Sequence, residues 1–352
     1  MISSRITMVR AGALLMLLSV SVVAWTQSSE PSVHVYVSNG ESNTISVIDV
    51  NAETVVATIP VGKMPRQSAI SGDKLYVVNT EGASVSVIDL ATHEVSNTIS
   101  VFSSPVDIVF GSGKAYVASN TASRITVIDL ETETVSNDIL VGIGPRRMVR
   151  FDEKLYVVNT ASRTVSVINL DTESVISTID VGAAPLDLAF ANGKVYVVNS
   201  VPNTVSVIDK VTDEVISIID VGIEPRHLAL NGQRLFVSNA ESNTVSVINV
   251  NNDTVLETIQ VGARPVFTAF AGNKAYVVNQ NGNSISIINL DTLAVVSTLT
   301  VGDTPVHLSF TDAKGFVVNR TDGTVTIFDI ETKQVPNTLA IGEMPLHISI
   351  EN

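Results

Sequence analysis

The chain reads as an all-β protein, an eight-bladed β-propeller of 40-residue, four-stranded repeats. Three observations carry this reading. An aromatic–Val–x–Asn tetrad starts at Tyr36, Tyr76, Tyr116, Tyr156, Tyr196, Phe236, Tyr276 and Phe316, always 40 residues apart. A Val-Gly-x-x-Pro segment recurs at the same period, from Val61-Gly62 with Pro65 to Ile341-Gly342 with Pro345. A Val-Ile-Asp or Val-Ile-Asn segment ends at Asp49, Asp89, Asp129, Asn169, Asp209, Asn249 and Asn289, and Phe328-Asp329 closes that series. One unit departs from the first two patterns: Ser119 stands for the tetrad Asn, and Phe102 for the Gly.

The unit that starts at Pro105 shows the four elements in order. Pro105 to Phe110 alternates in polarity and runs into Gly111-Ser112-Gly113-Lys114, a tight turn. Ala115 to Ser119 is the second strand, Asn120 to Ser123 a polar loop, and Arg124 to Asp129 the third strand. Leu130 to Thr134 turns the chain into the outer strand, Val135 to Leu140. Val, Ile, Thr and Tyr dominate these runs, because β-branched and aromatic side chains pack well on a pleated sheet. The Asp or Asn that ends the third strand accepts bonds from the backbone ahead of it and starts the turn. No segment has helical periodicity, which excludes helical repeats of this length. The tetrad Asn is expected to tolerate turn geometry and to bond its own backbone.

A four-stranded unit has two apolar faces and buries neither alone, whereas radial stacking buries both. The first unit holds only strands two to four (residues 33–60), and the chain ends on a lone first strand, Pro345 to Ile350. Three N-terminal strands and one C-terminal strand therefore complete one blade and close the ring.

The Tyr-Val-x-Asn tetrads, Ser-Val-Ile-Asp strands and Val-Gly-x-x-Pro links resemble the YVTN family of β-propeller repeat proteins, over the whole length after the leader. The resemblance implies a secreted or surface-layer-like propeller, mostly without assigned activity, and a fold similar to the d-type haem domain of nitrite reductases. Other propeller classes fail on composition. The only Trp is Trp25, so Trp-Asp repeats, Trp-docking quinone blades and Trp-containing Asp-boxes are absent.

Residues 1–24 read as a signal peptide. Arg5 and Arg10 precede an apolar run, and Val22-Val23-Ala24 offers small residues for cleavage before Trp25. The run is short for a membrane span, and an uncleaved anchor is the competing reading. Residues 25–32 read as a linker and 33–352 as a single propeller domain, soluble and monomeric in the periplasm or outside the cell. The chain has 21 basic and 35 acidic residues, a net charge of −14. Removing the two leader arginines leaves −16. That balance argues against nucleic acid as a partner, because phosphate contacts need clustered Lys and Arg. With no cysteine there is no disulfide, thiolate metal site or cysteine nucleophile.

The inner strand of each blade lines the channel, so the residues just after each Pro should ring its mouth. The second position after Pro reads Gln67, Asp107, Arg147, Asp187, His227, Phe267, His307 and His347. The first position supplies Arg66, Arg146 and Arg226. Three of the five His share one repeat position, and the candidate binding set is Arg66, Asp107, Arg146, Arg147, Asp187, Arg226, His227, His307 and His347. Arg146-Arg147-Met148-Val149-Arg150 is the only basic cluster, and it suggests an anionic contact. Motifs for a serine nucleophile, zinc protease, phosphate loop or calcium loop are absent. No catalytic residue, metal ligand or cofactor is assigned. The leading expectation is a secreted, non-catalytic propeller that docks a protein, glycan or anionic ligand of the cell envelope on the mouth face. The alternative is an enzyme or cofactor carrier, lactonase-like, lyase-like or haem-d-like, that uses the mouth His and Asp.

Overall fold

A computed structural model describes residues 33–335 and 337–351. They form eight four-stranded antiparallel sheets. The inner strands contact one another in an unbroken circle, so the sheets are the blades of a closed propeller. Blade 1 combines His34–Asn39, Thr44–Asp49 and Thr54–Pro60 with Pro345–Ile350 as its inner strand. Blades 2 to 8 follow in chain order, and their inner strands start at Pro65, Pro105, Pro145, Pro185, Pro225, Pro265 and Pro305. The expected closure is what holds the ring: Tyr36 pairs with Ser349 and Val37 with Ile348.

The core lies between blades. Each of eight apolar clusters joins two neighbours; one takes Tyr196, Val198, Val205 and Val207 from blade 5 with Leu235, Val237 and Ile248 from blade 6. The tetrad aromatics are at most 2% exposed. The third-strand Asp and Asn residues do bond forward as expected. Asp49 Oδ1 accepts from the backbone N–H of Asn51 at 2.8 Å and of Ala52 at 2.7 Å.

The tetrad Asn does something else. Its side chain is buried and crosses to the third strand. Asn79 Nδ2 donates to Ser84 Oγ at 3.1 Å and to Ser86 Oγ at 3.0 Å. A Cβ placed on Gly62 would lie 2.5 Å from the Asn79 amide nitrogen. The same Gly–Asn approach recurs in six further blades, from Gly142–Asn159 to Gly342–Asn39. Asn is thus an interior bracket and Gly the space left for it. A strand end packed under the incoming link excludes water, so the amide bonds the hydroxyls beside it rather than its own backbone.

A second interlock lies on the face opposite the mouth. In five blades the Lys opening the second strand reaches an acid in the left-handed turn before the next blade's outer strand, 59 positions on in four of them and back at Glu53 for Lys314 in blade 8. Lys154 meets Asp213 at 2.8 Å, Lys194 meets Asp253 at 2.7 Å and Lys314 meets Glu53 at 2.7 Å. Lys74 pairs with Glu133 and Lys114 with Glu173. Three junctions differ. His34 stands edge-on to His93 at 4.8 Å, Arg234 turns to the Leu290 carbonyl, and in the Lys274 junction the acid's repeat position is Lys333.

Candidate functional site at the channel mouth

Each inner strand enters at the mouth through a β-bulge. In blade 2 Pro65 pairs with Asn79 and Gln67 with Val78, so Arg66 is the extra residue. A regular strand would send consecutive side chains to opposite faces; a bulge breaks that alternation and re-aims one of them. Both positions after Pro therefore face the opening. Arg66, Gln67, Arg146, Arg147, Arg226 and His227 line one depression of about 260 Å³. Leu186, Asp187, Phe267, His307, Leu346, His347 and Arg320 also line it, with Val266, Gln280 and Val306 completing the wall. A neighbouring depression of about 290 Å³ shares Arg66, Arg146 and Arg147 with it.

The candidate residues separate into two groups. Asp107 and Asp187 are junction brackets. Asp107 is 3% exposed, and its Oδ2 accepts from the Met148 N–H of the next blade at 2.8 Å. Asp187 Oδ2 accepts from the Leu228 N–H at 2.9 Å. His227 does the same with Nδ1, which accepts from the Thr268 N–H at 3.3 Å. His347 Nδ1 bonds Ser68 Oγ at 3.3 Å across the closure. Burial raises the Asp107 carboxyl, against the pull of Arg147 and the Met148 N–H. Arg147 lies 3.2 Å from Asp107 and 3.4 Å from Gln67 Oε1. Burial works against its charge, but Asp107 and Asp187 outweigh burial and hold it above its usual value.

The histidines form an arc with Phe267. His227, Phe267, His307 and His347 follow one another at 4.3, 4.3 and 4.4 Å between ring centroids. Burial pushes His227 down to about 4 and His347 to about 3. Burial and the neighbouring His347 and Arg147 push His307 well below its ordinary value, and its buried Nδ1 has no partner among the described residues. All three are neutral at pH 7.

The arginines are the other group. Burial lowers Arg66, helped by the charges of Arg147 and Arg320. Burial lowers Arg146, helped by Arg66, Arg147 and Arg226. Arg66, Arg146 and Arg320 make no ion pair with the described residues. Arg226 is held by Glu224, which also lies 3.2 Å from Arg264. Arg150 parts from the sequence cluster: it bonds the Asp152 carbonyl at the far end of its strand. Arg320 went unread in the sequence, although it is the one charge at its repeat position, where Gly40, Thr80, Asn120, Thr160, Ser200, Ala240 and Gln280 stand elsewhere. Among the described residues, no three His, Asp or Glu are grouped so as to hold a metal ion.

No family model and no curated protein matches the chain. Solved structures do. A dihydro-heme d1 dehydrogenase, NirN, in complex with DHE superposes with a TM-score of 0.79 at 15% identity, over 91% of this chain and 75% of that one. The computationally designed Ika8 protein gives 0.76 at 16% identity, over 86% and 97%. Apo AztD from Citrobacter koseri gives 0.71 at 14%, over 91% and 98%. At these identities the likeness is one of fold. A designed protein among them underlines that the ring alone carries no function.

Proposed function

We infer that the protein is a non-catalytic binding propeller that captures an anionic ligand at its channel mouth. One observation carries the reading: Arg66, Arg146 and Arg320 converge on a single depression and form no ion pair with the described residues, although Asp107 and Asp187 act on Arg66 and Arg146 from a distance. Like charges held together raise the energy of the empty site, and an incoming anion relieves it. Guanidinium matches carboxylate, sulfate or phosphate in a two-pronged geometry. On an acidic body, a positive mouth draws anions to one place.

The test is calorimetric titration of benzenehexacarboxylate into the protein and into a combined Arg66→Ala, Arg146→Ala, Arg147→Ala and Arg226→Ala variant. Binding by the first and none by the second, at matched melting temperatures, supports the reading. No heat from either, at low or physiological salt, moves the functional surface to the outer strands.

A second reading is a carrier of a haem-type group. It rests on three neutral imidazoles in one depression, since neutral imidazole ligates iron. His307, whose buried Nδ1 has no partner among the described residues, would hold the iron, and the group would supply the redox chemistry. An absorption band on the purified protein that His307→Phe abolishes would favour it.

Export belongs to the same proposal. Residues 1–24, outside the described residues, act as the leader, and the mature chain begins at Trp25. Intact mass of secreted protein tests this; a mass that retains residues 1–24 points to an anchor. Among the described residues no helix is long and apolar enough to cross a membrane.

A further inference from the structure

The arginines at the mouth are not scattered. The first position after Pro reads Arg66, Val106, Arg146, Leu186, Arg226, Val266, Val306 and Leu346 around the ring. Arginine therefore occupies blades 2, 4 and 6, and an apolar residue occupies every blade between them. Blade 8 has Val306 at that position, but it contributes Arg320 from the turn that follows its second strand, Lys314–Asn319. These four line the same depression; a fifth arginine there, Arg147, is tied to Asp107, and Arg226 also reaches Glu224 at the rim. Blades of an eightfold ring are about 45° apart, so the four stand at intervals of roughly 90° about the channel axis. Arg66 feels the charge of Arg320, and Arg146 feels those of Arg66 and Arg226.

Such an arrangement is poor for a single small anion. An ion seated beside one guanidinium leaves the others unneutralised across the opening. It suits one molecule that carries anionic groups around its rim and meets several arginines at once. Each further contact then forms within an existing complex, so the contributions multiply. We propose that the mouth is a multivalent anion site whose ligand is a compact polyanion with at least three outward-directed carboxylate, sulfate or phosphate groups. This rests on the anion-binding reading above and names the ligand class within it.

The bulge supplies the precision. It fixes Arg66, Arg146 and Arg226 at one height on the ring, because each is the extra residue of an equivalent bulge. Apolar residues hold the same position in the blades between them, so at this position the charge falls only on alternate blades.

The experiment titrates benzoate, benzene-1,3,5-tricarboxylate and benzenehexacarboxylate, which share one ring and differ in the number of carboxylates. Affinity is expected to rise at least about 100-fold from the first to the last, with a salt slope that steepens in parallel. Arg66→Gln, Arg146→Gln, Arg226→Gln and Arg320→Gln, one at a time, should each weaken the hexacarboxylate roughly three- to tenfold. Arg150→Gln, at the other end of the strand, should leave it unchanged. Benzoate binding within threefold of the hexacarboxylate overturns the multivalent site while keeping an anion site. Loss confined to one arginine does the same. If none of the three binds, the anion-binding reading itself falls, and this inference with it.

Discussion

Ser119 Oγ donates a 3.2 Å hydrogen bond to the carbonyl oxygen of Phe102. These are the two residues at which one repeat leaves the pattern, and they are partners. In the other blades a Gly yields its Cβ space to an Asn. In blade 3 the link carries a side chain and the smaller Ser takes the place of Asn. The two departures are one compensated change.

A double-mutant cycle at this pair follows. Ser119→Asn alone should destabilise, since the amide would meet the Phe102 Cβ. Phe102→Gly alone should also destabilise, through lost packing and added chain freedom. Together they restore the arrangement of the other blades, with a favourable coupling of at least about 1 kcal/mol by denaturant melts. Simple additivity would refute the pairing.

The Lys274 junction should accept an improvement. Five equivalent junctions carry a Lys–carboxylate pair, whereas Lys333 occupies the acid's repeat position in the Lys274 junction. Lys333→Glu should stabilise by about 0.3–1 kcal/mol, a melting increase of roughly 1 °C that fades in high salt. A decrease would mean that the two lysines already sit apart.

Acid should weaken the ring through its histidines. An imidazole whose folded pKa is depressed stabilises the protein above its unfolded value of about 6.5, and that contribution is lost as pH falls. For His227 the loss should run from about 6.5 down to about 4, and for His347 down to about 3. His307→Phe copies Phe267 at the equivalent position and removes one such group. The variant's melting temperature should fall less steeply with pH across this window. An identical slope would show that His307 titrates normally.

Closure by Pro345–Ile350 should be indispensable. Deleting residues 345–352 leaves the edge of His34–Asn39 unpaired and uncovers Val37, Phe316 and Val318 beside Ile348. We expect aggregation or a loss of more than about 5 kcal/mol. Moving the segment in front of Val33 on a short linker should restore the fold. An unchanged midpoint after deletion would rule the closure out.

The ring was legible because a 40-residue period repeats the physics of one blade eight times. At the mouth the residues after each Pro were legible in part: Arg320 joins them from another strand unread, and Asp107 turns into the junction. Which of them are free was not. Asp107 and Arg146 are both polar residues just past a Pro, yet one bonds the next blade's backbone and the other faces the opening. That difference depends on the bulge and on how adjacent blades lean together, neither of which leaves a residue-type signature. The opposite-face latch did leave one, since Lys and acid recur 59 residues apart. It is missed when repeats are compared only with themselves at 40.

Ring closure by two distant ends also sets an order of events. Ribosomes add roughly 5–20 residues each second, so His34–Asn39 waits tens of seconds before Pro345–Ile350 exists. Throughout that interval the first three strands present an open edge to anything extended nearby. Blades 2 to 8 can assemble locally as they emerge, each on its predecessor, while blade 1 is necessarily last. Closure is thus the last step of assembly, and until it is made the open edge of His34–Asn39 is a template that the closing strand of another copy fits as well as its own.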